Sequence, residues 1–491
     1  MAVLAYADAK RLGFLPLEAD AETPTVALRD GCDPLVLAEA RRVLAKPFKV
    51  VHKSGPDFDA LLTQTYGDNA LDASAVASQL DDGSLSSLAD ALPAPADLLE
   101  AQDDAPIIQL INQLVGEAAR TGASDVHIEP YENELIVRLR IDGVLREALR
   151  LPAKLNAMLV SRIKVMARLD IAERRIPQDG RITLSRGGRA LDIRVSTLPS
   201  RGGERVVMRV LDRDQAEVTL AELGLPDGLH SQIEAALSQP DGIVLVTGPT
   251  GSGKTTTLYA ALRKLNDGSR NILTVEDPVE YAVDGVSQTQ TNAKVGLTFA
   301  SGLRAILRQD PDVIMIGEIR DYETAEIAMQ ASLTGHLVLS SVHTNDAVGA
   351  IVRLRDLGVE PFLLGSSLRL VLAQRLVRRL CSHCKKPTSP PAAALARLCI
   401  SAGAQCYEAG GGCEHCAQSG YRGRLGLFEA VPITSQLRAL ILEDANEHRL
   451  AQEAFIHGRS LRDAARDLVE AGETSLEEAL RVTRVEVMDD D

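Results

Sequence analysis

The stretch GIVLVTGPTGSGKTTTLYAALRKL, Gly242 to Leu265, decides the fold. An unbroken apolar run, the pattern of a strand buried on both faces, leads into GPTGSGKT and then into a helical period. The spacing G-x-x-x-x-G-K-[ST] in that setting reads as a phosphate cradle. Its glycines let backbone amides curl around phosphate oxygens, the helix start adds partial positive charge, and Lys254 adds a full one. Gly248, Pro249, Thr250, Gly251, Ser252, Gly253, Lys254, Thr255 and Thr256 are the expected nucleotide contacts, with the Thr255 hydroxyl available to magnesium.

The same alternation of strand and helix continues outward in NILTVED, in DVIMIGEI before ETAEIAMQASLTG, and in HLVLSSVH. It predicts an α/β domain with a parallel sheet, whose ligand sits at the carboxyl ends of the strands. The strand in DPDVIMIGEIRD ends on Gly317, so its first carboxylate is Glu318. A carboxylate there can orient an attacking water or help hold a metal, and Glu318 is the expected catalytic residue. Glu276, Asp277 and Glu280 cluster in TVEDPVEY, where they would repel one another without a cation. LTGHLVLSSVHTNDA sets His336 and His343 at the two ends of a strand, as nucleotide sensors or as structural residues.

Upstream, Ile107, Ile108, Ile111, Leu114 and Ala118 share a helical face that Gly122 would stop. Strand patterns then turn at Glu132-Asn133 and Asp142-Gly143 and recur in GRITL, ALDIRVSTL and ERVVMRVL, so residues 105–215 read as a mixed α/β middle domain. Residues 81–104, rich in Asp, Ser, Ala and Pro, read as a linker behind a small acidic N-terminal domain at 1–80. Residues 1–106 hold 18 Asp plus Glu against 8 Lys plus Arg, two thirds of the net charge of -15. That field repels a phosphate backbone, so no nucleic-acid partner is expected. No apolar run approaches the ~18 residues that cross a bilayer, and the start lacks a secretory-signal layout. A cytoplasmic location without direct membrane insertion is expected. Of seven cysteines, Cys381 with Cys384 and Cys413 with Cys416 form two CxxC knuckles 28 residues apart, suited to structural zinc, with disulfides or a redox pair as the alternative. Cys32, Cys399 and Cys406 receive no role.

The blocks GPTGSGKTT, ILTVEDPVEY, LRQDPDVIMIGEIRD and LTGHLVLSSVHTNDA, in this order, resemble the secretion ATPases that power type II secretion and type IV pili. The resemblance implies a RecA-like P-loop ATPase core at 220–375 and a PAS-like middle domain. It also implies a tetracysteine zinc subdomain at 376–420 and a C-terminal helical region at 421–491. In that family the second block is the Asp box, the third an atypical Walker B ending in Gly-Glu, and the fourth the His box. Glu318 takes the place of the family's catalytic glutamate, and ATP, Mg2+ and Zn2+ are the implied cofactors. Matching segments supply Arg194 and Arg209 from the middle domain, Arg304, Arg308 and Arg320 from the core, and Arg424 from GYRGRLGLFE. The family works as a homo-hexamer, recruited to the inner membrane by a partner of the N-terminal domain and acting on an inner-membrane platform protein. The tetracysteine element resembles the type II secretion and pilus-extension members. A type IV pilus extension ATPase shares every motif named here. A RecA-like nucleic-acid motor, or a scaffold that binds nucleotide without turnover, are readings from other classes.

Overall fold

Two units, Met1–Arg213 and Asp214–Asp491, divide the chain in a computed structural model. It describes residues 9, 12–17, 23–33, 36–44, 46–55, 57–58, 61, 105–186, 189–211, 218–456 and 458–483. The linker expected at 81–104 lies outside the described residues, as do 62–80 and 484–491.

The first unit opens with a three-stranded sheet of β1 (Phe14–Pro16), β2 (Thr25–Arg29) and β3 (Lys49–Lys53), carrying helix α1 (Val36–Leu44). Phe14, Val26, Leu28, Val36, Ala40 and Leu44 form its small core. Later in the same unit, α2 (Ala105–Thr121) buries Ile107, Leu110, Ile111, Leu114 and Ala118. Ile108, expected on that face, is only half-buried, because the 3.6-residue period brings Leu110 round in its place. Gly122 ends the helix with φ 67, a conformation that costs glycine nothing. The following strands are β4 (Ala123–Pro130), β5 (Glu134–Ile141), β6 (Val144–Pro152), β7 (Gln178–Arg186), β8 (Arg189–Ser200) and β9 (Gly203–Leu211). With α3 (Asn156–Met166) between β6 and β7, they pair antiparallel in the order β6-β5-β4-β9-β8-β7. Asp142 (φ 49) and Gly143 (φ 82) make the two-residue hairpin turn that the sequence marks.

The second unit begins with α4 (Asp227–Leu237), β10 (Gly242–Thr247), α5 (Lys254–Leu265), β11 (Ile272–Glu276) and β12 (Ser287–Gln290). It continues through α6 (Phe299–Ile306), β13 (Val313–Ile316), α7 (Tyr322–Leu333), β14 (Leu337–Val342), α8 (Ala347–Asp356), α9 (Pro361–Ser367) and β15 (Leu368–Leu380). A small pair, β16 (Lys386–Thr388) and β17 (Cys406–Glu408), flanks α10 (Ala392–Ala396). After β18 (Tyr421–Pro432) come α11 (Ser435–Leu442), α12 (Glu447–Ala454), α13 (Leu461–Glu470) and α14 (Leu476–Thr483). Seven strands form one sheet in the order β12-β11-β13-β14-β10-β15-β18, parallel except for the antiparallel edge strand β18. Both faces are covered: Ile243, Leu245, Ile314, Ile316 and Val338 enter one apolar layer, and Val244, Val246, Val313, Met315 and Leu339 enter the other. Among the described residues no helix is long and apolar enough to cross a membrane.

Two expected boundaries differ from what forms. The division at 375/376 falls inside β15, and residues 421–432, read as the start of the helical region, are a strand paired with β15 along most of its length. The reason is burial: Leu427, Phe428, Ala430 and Val431 of β18 complete the same apolar layers, so the sheet reaches past the cysteine insertion to recruit its last strand.

The last helix is fastened to that strand pair by a buried charge. Glu478 accepts from Arg378 Nη2 at 2.8 Å and from Arg481 Nη2 at 2.7 Å, and the Arg378 guanidinium lies 3.9 Å from the Tyr421 ring centroid. Burial pushes the Glu478 carboxyl up, but the hydrogen bonds from Arg481 and Arg378 outweigh it and hold it at about 2. Its folded value thus lies below its unfolded one, so its stabilisation is complete above pH ~4.5 and fades as the pH falls toward 2. Glu478→Ala should cost ~2 kcal/mol at neutral pH, less than a fully buried pair because Arg481 is half exposed. In denaturant melts the gap to wild type should shrink between pH 4.5 and 2.5; a constant gap would contradict this assignment.

Candidate active site and metal centre

The P-loop lies between β10 and α5, and its shape depends on β15. A Cβ on Gly248 (φ 148) would stand 2.3 Å from the Gln374 carbonyl oxygen, and one on Gly253 (φ 88) 2.8 Å from Gln374 Nε2. Only glycine tolerates both the conformation and the approach. Gln374 is itself fixed, since its Oε1 accepts from Thr257 Oγ1 at 2.7 Å.

Lys254 is 9% exposed, and its Nζ donates to the carbonyl oxygens of Gly248 at 2.8 Å and Pro249 at 3.1 Å. Nδ1 of His343 stands 3.5 Å away. The other ring nitrogen of His343 lies 3.2 Å from Glu318 Oε2, and Glu318 Oε1 pairs with Arg320. Three strand ends, β10, β13 and β14, therefore bring Lys254, Glu318 and His343 to one place, as their parallel register requires. Burial lowers Lys254 to about 8, reinforced by Arg375 and opposed by Glu318.

The neighbouring acids divide. Glu276 turns inward and is buried, accepting from Tyr259, from Thr274 Oγ1 at 2.6 Å and from Gln288 Nε2 at 3.1 Å. Asp277 is close enough to act on the Arg320 charge, and the Glu280 N–H donates to Tyr259 Oη at 3.3 Å. Thr255 is exposed in the first turn of α5. Its hydroxyl and the Asp277 and Glu280 carboxylates are hard oxygen donors of the kind magnesium takes. His336 is not part of this cluster. It precedes β14, its Nδ1 2.8 Å from the Ala331 carbonyl oxygen, one strand length or ~20 Å from His343. Arg304 pairs with Glu323 at 2.7 Å, Arg308 donates to the Arg304 carbonyl oxygen at 2.6 Å, and Arg424 is exposed opposite Arg378 on the β15–β18 ribbon.

In the first unit Arg194 and Arg209 are direct cross-strand neighbours on β8 and β9. Arg209 Nε donates to Asp125 Oδ1 at 3.0 Å, and Arg140 Nε lies 3.7 Å from Asp125 Oδ2. One row along, Glu129 pairs with Arg138 at 2.5 Å and with Arg205 at 2.6 Å. The central strand β4 thus interleaves acids among arginines that would otherwise repel.

Residues 100–481 match the family model described as type II/IV secretion system protein, and residues 3–66 match that for an N-terminal domain of GSPII protein E. The chain belongs to the type II/IV secretion system protein family. It is 53% identical over 485 residues to type II secretion system protein E of Pseudomonas aeruginosa, covering 98% of this chain and 96% of that protein. It is 52% identical over 453 residues to type II secretion system ATPase E of Vibrio cholerae, covering 91% and 90%. Among solved structures, the pilus retraction motor PilT with bound ADP is similar at TM-score 0.51 and 26% identity, over 76% of this chain and 96% of that one. The Legionella pneumophila ATPase DotB shares the fold at TM-score 0.57 and 22% identity, over 76% and 95%. The α/β chain with a RecA-like core is therefore a secretion ATPase.

This secretion ATPase also carries a cysteine tetrad. Sγ atoms of Cys381 and Cys413, Cys384 and Cys416, and Cys413 and Cys416 are 3.7, 3.8 and 3.7 Å apart. Bonds of about 2.3 Å to one tetrahedral ion put sulfurs about 3.8 Å apart, so the four thiols fit a metal ion. They do not fit disulfides, whose sulfurs are bonded at about 2.05 Å. Cys416 Sγ also accepts from the N–H groups of Cys413 at 3.3 Å and Gly420 at 3.2 Å, which favour a thiolate. His383 and His415 stack on each other, ring centroids 3.9 Å apart.

Sequence reasoning passed over Gln374, Arg375 and Glu429, although the polar pair inside the apolar run LRLVLAQRLV is a visible signal. The low Lys254 value carries a prediction. A bound triphosphate should restore its proton, so at pH 8 to 8.5 ATP binding should take up a proton, with affinity falling at higher pH. Calorimetry in buffers of different ionisation enthalpy reads this directly; zero uptake would refute it.

Proposed function

We propose that this chain is the cytoplasmic ATPase of a type II secretion system, hydrolysing ATP to ADP and phosphate to drive pseudopilus assembly and protein export. The observation that carries the reading is the convergence of Glu318, His343 and Lys254 at the P-loop. In this scheme residues 248–256 cradle the phosphates, and Lys254 leaves its own carbonyls for the β- and γ-phosphate oxygens. Glu318, released from Arg320, orients the attacking water and takes its proton. Thr255, Asp277 and Glu280 would hold Mg2+, which when bound neutralises charge on the β- and γ-phosphates. Glu276 acts through Tyr259 and Gln288 to fix the acidic turn, while His343 contacts the γ-phosphate side and His336 stays remote.

The chain works as a homo-hexamer in this reading. Arg194 and Arg209 meet nucleotide in the assembled ring, with Arg304, Arg308, Arg320 and Arg424 serving phosphate and subunit contacts. Charge of that kind, delivered to a phosphoryl group in transit, is worth ~10³ or more in rate. Domains run 1–80, 81–104 as linker, 105–215, the core from 220 and the tetracysteine subdomain within 376–420. β18 joins the core, and the helices begin at Ser435. The first of these domains docks an inner-membrane recruiting protein, which makes the ATPase peripheral to that membrane, and a platform protein receives its motion. The metal is zinc, because four thiolates without an open position suit a structural ion.

Two outcomes test this. Glu318→Gln should bind ATP normally while losing about 10² or more in turnover, within the range for general-base removal; wild-type turnover would overturn the reading. Stripping zinc, or Cys381→Ser, should raise hydrogen exchange across 381–416 and lower thermal stability while sparing ATP binding. Unchanged stability after complete removal of the metal would exclude a structural role.

A further inference from the structure

Residues 343–347 join β14 to α8, and they are pinned from several sides. Thr344 Oγ1 lies 2.6 Å from Thr247 Oγ1, and its N–H donates to that same oxygen at 3.0 Å. Arg375 Nη2 donates to both the carbonyl oxygen and Oδ1 of Asn345, at 2.9 and 3.0 Å. Asp346 caps α8 by accepting from the Gly349 N–H at 2.7 Å. The Ala347 N–H donates to Glu429 Oε1 at 2.8 Å, and Glu429 Oε2 accepts from the Leu461 N–H, the first residue of α13, at 3.0 Å.

Glu429 is 3% exposed and Arg375 6% exposed. Burying a carboxylate and a guanidinium in the middle of a β15–β18 ribbon costs more than apolar packing there would. Two N–H donors at helix starts offset part of that cost for Glu429. What the pair achieves that apolar residues would not is a fixed distance from the C-terminal helices to the segment bearing His343.

We propose that Glu429 and Arg375 are positioning residues for ATP turnover. They set residues 343–347 so that His343 reaches Glu318 and Lys254, and Glu429 makes that setting depend on the seating of α13. Neither touches nucleotide. The proposal rests on the reading of His343 as part of the phosphate site.

The test is a double-mutant cycle in the full-length, assembled protein: wild type, Glu429→Gln, His343→Ala and the double variant. Glu429→Gln keeps the side-chain shape and one acceptor. It should lower kcat about ten-fold or more, leave affinity for a fluorescent ATP analogue within about three-fold, and slow the His343→Ala background no further. A purely structural staple would move melting temperature without that non-additivity. If Glu429→Gln does not fold, Asn345→Ala decides, since it removes only the Oδ1 contact. It should slow turnover several-fold in wild type and not at all beside His343→Ala. Full-speed turnover in the folded variant, or losses that multiply with that of His343→Ala, would refute the proposal alone. Wild-type kcat for His343→Ala would refute the site reading and the proposal with it.

Discussion

An ammonium group almost stripped of water organises the second unit. Lys254 is held by two carbonyl oxygens of its own loop, with Glu318 and His343 beside it. Such a charge persists in an apolar sheet only if each neighbour compensates it. Parallel register delivers those neighbours, because β10, β13 and β14 end together and each releases one polar group at its carboxyl end. The apolar layers on both faces then serve a single purpose at this point, which is to hold three strand ends at fixed spacing.

The same logic extends sideways through β15 and β18. Gln374 shapes the P-loop on one side of the strand, and Arg375 grips residue 345 on the other. β18 supplies Glu429 to two helix starts, and the Arg378–Glu478–Arg481 group ties down the last helix. Between these two strands the chain makes the cysteine module, so a metal ion there would clamp the connection that the sheet has to cross. In the first unit, arginines stand side by side across β8 and β9 because Asp125 and Glu129 on β4 hold their neighbours. A nucleotide phosphate approaching that surface would compete with a carboxylate for Arg209.

Local patterns were legible. GPTGSGKT, the apolar strands, the Asp142-Gly143 turn and the CxxC pairs each depend on residues adjacent in sequence, and the structure builds the elements they mark. Long-range partnerships were not legible. Nothing in the order of residues says that Glu276 turns toward Tyr259 and away from the nucleotide, or that Glu429 reaches Ala347 and Leu461. The two histidines looked equivalent in LTGHLVLSSVHTNDA, but a strand separates its ends by its own length, and only one end faces the P-loop. Residues 421–432 were misjudged for a related reason: an edge strand that completes a distant sheet declares itself through its partner β15, which lies beyond the cysteine insertion.

The most direct measurement is a high-resolution structure of the assembled protein with magnesium and a γ-phosphate transition-state mimic. The account predicts that Lys254 Nζ leaves the carbonyls of Gly248 and Pro249 for phosphate oxygens, while Glu318 lets go of Arg320 to hold the water in line with the γ-phosphate. Lys254 still on those carbonyls, or an in-line water held by a different carboxylate with Glu318 still paired to Arg320, would contradict it.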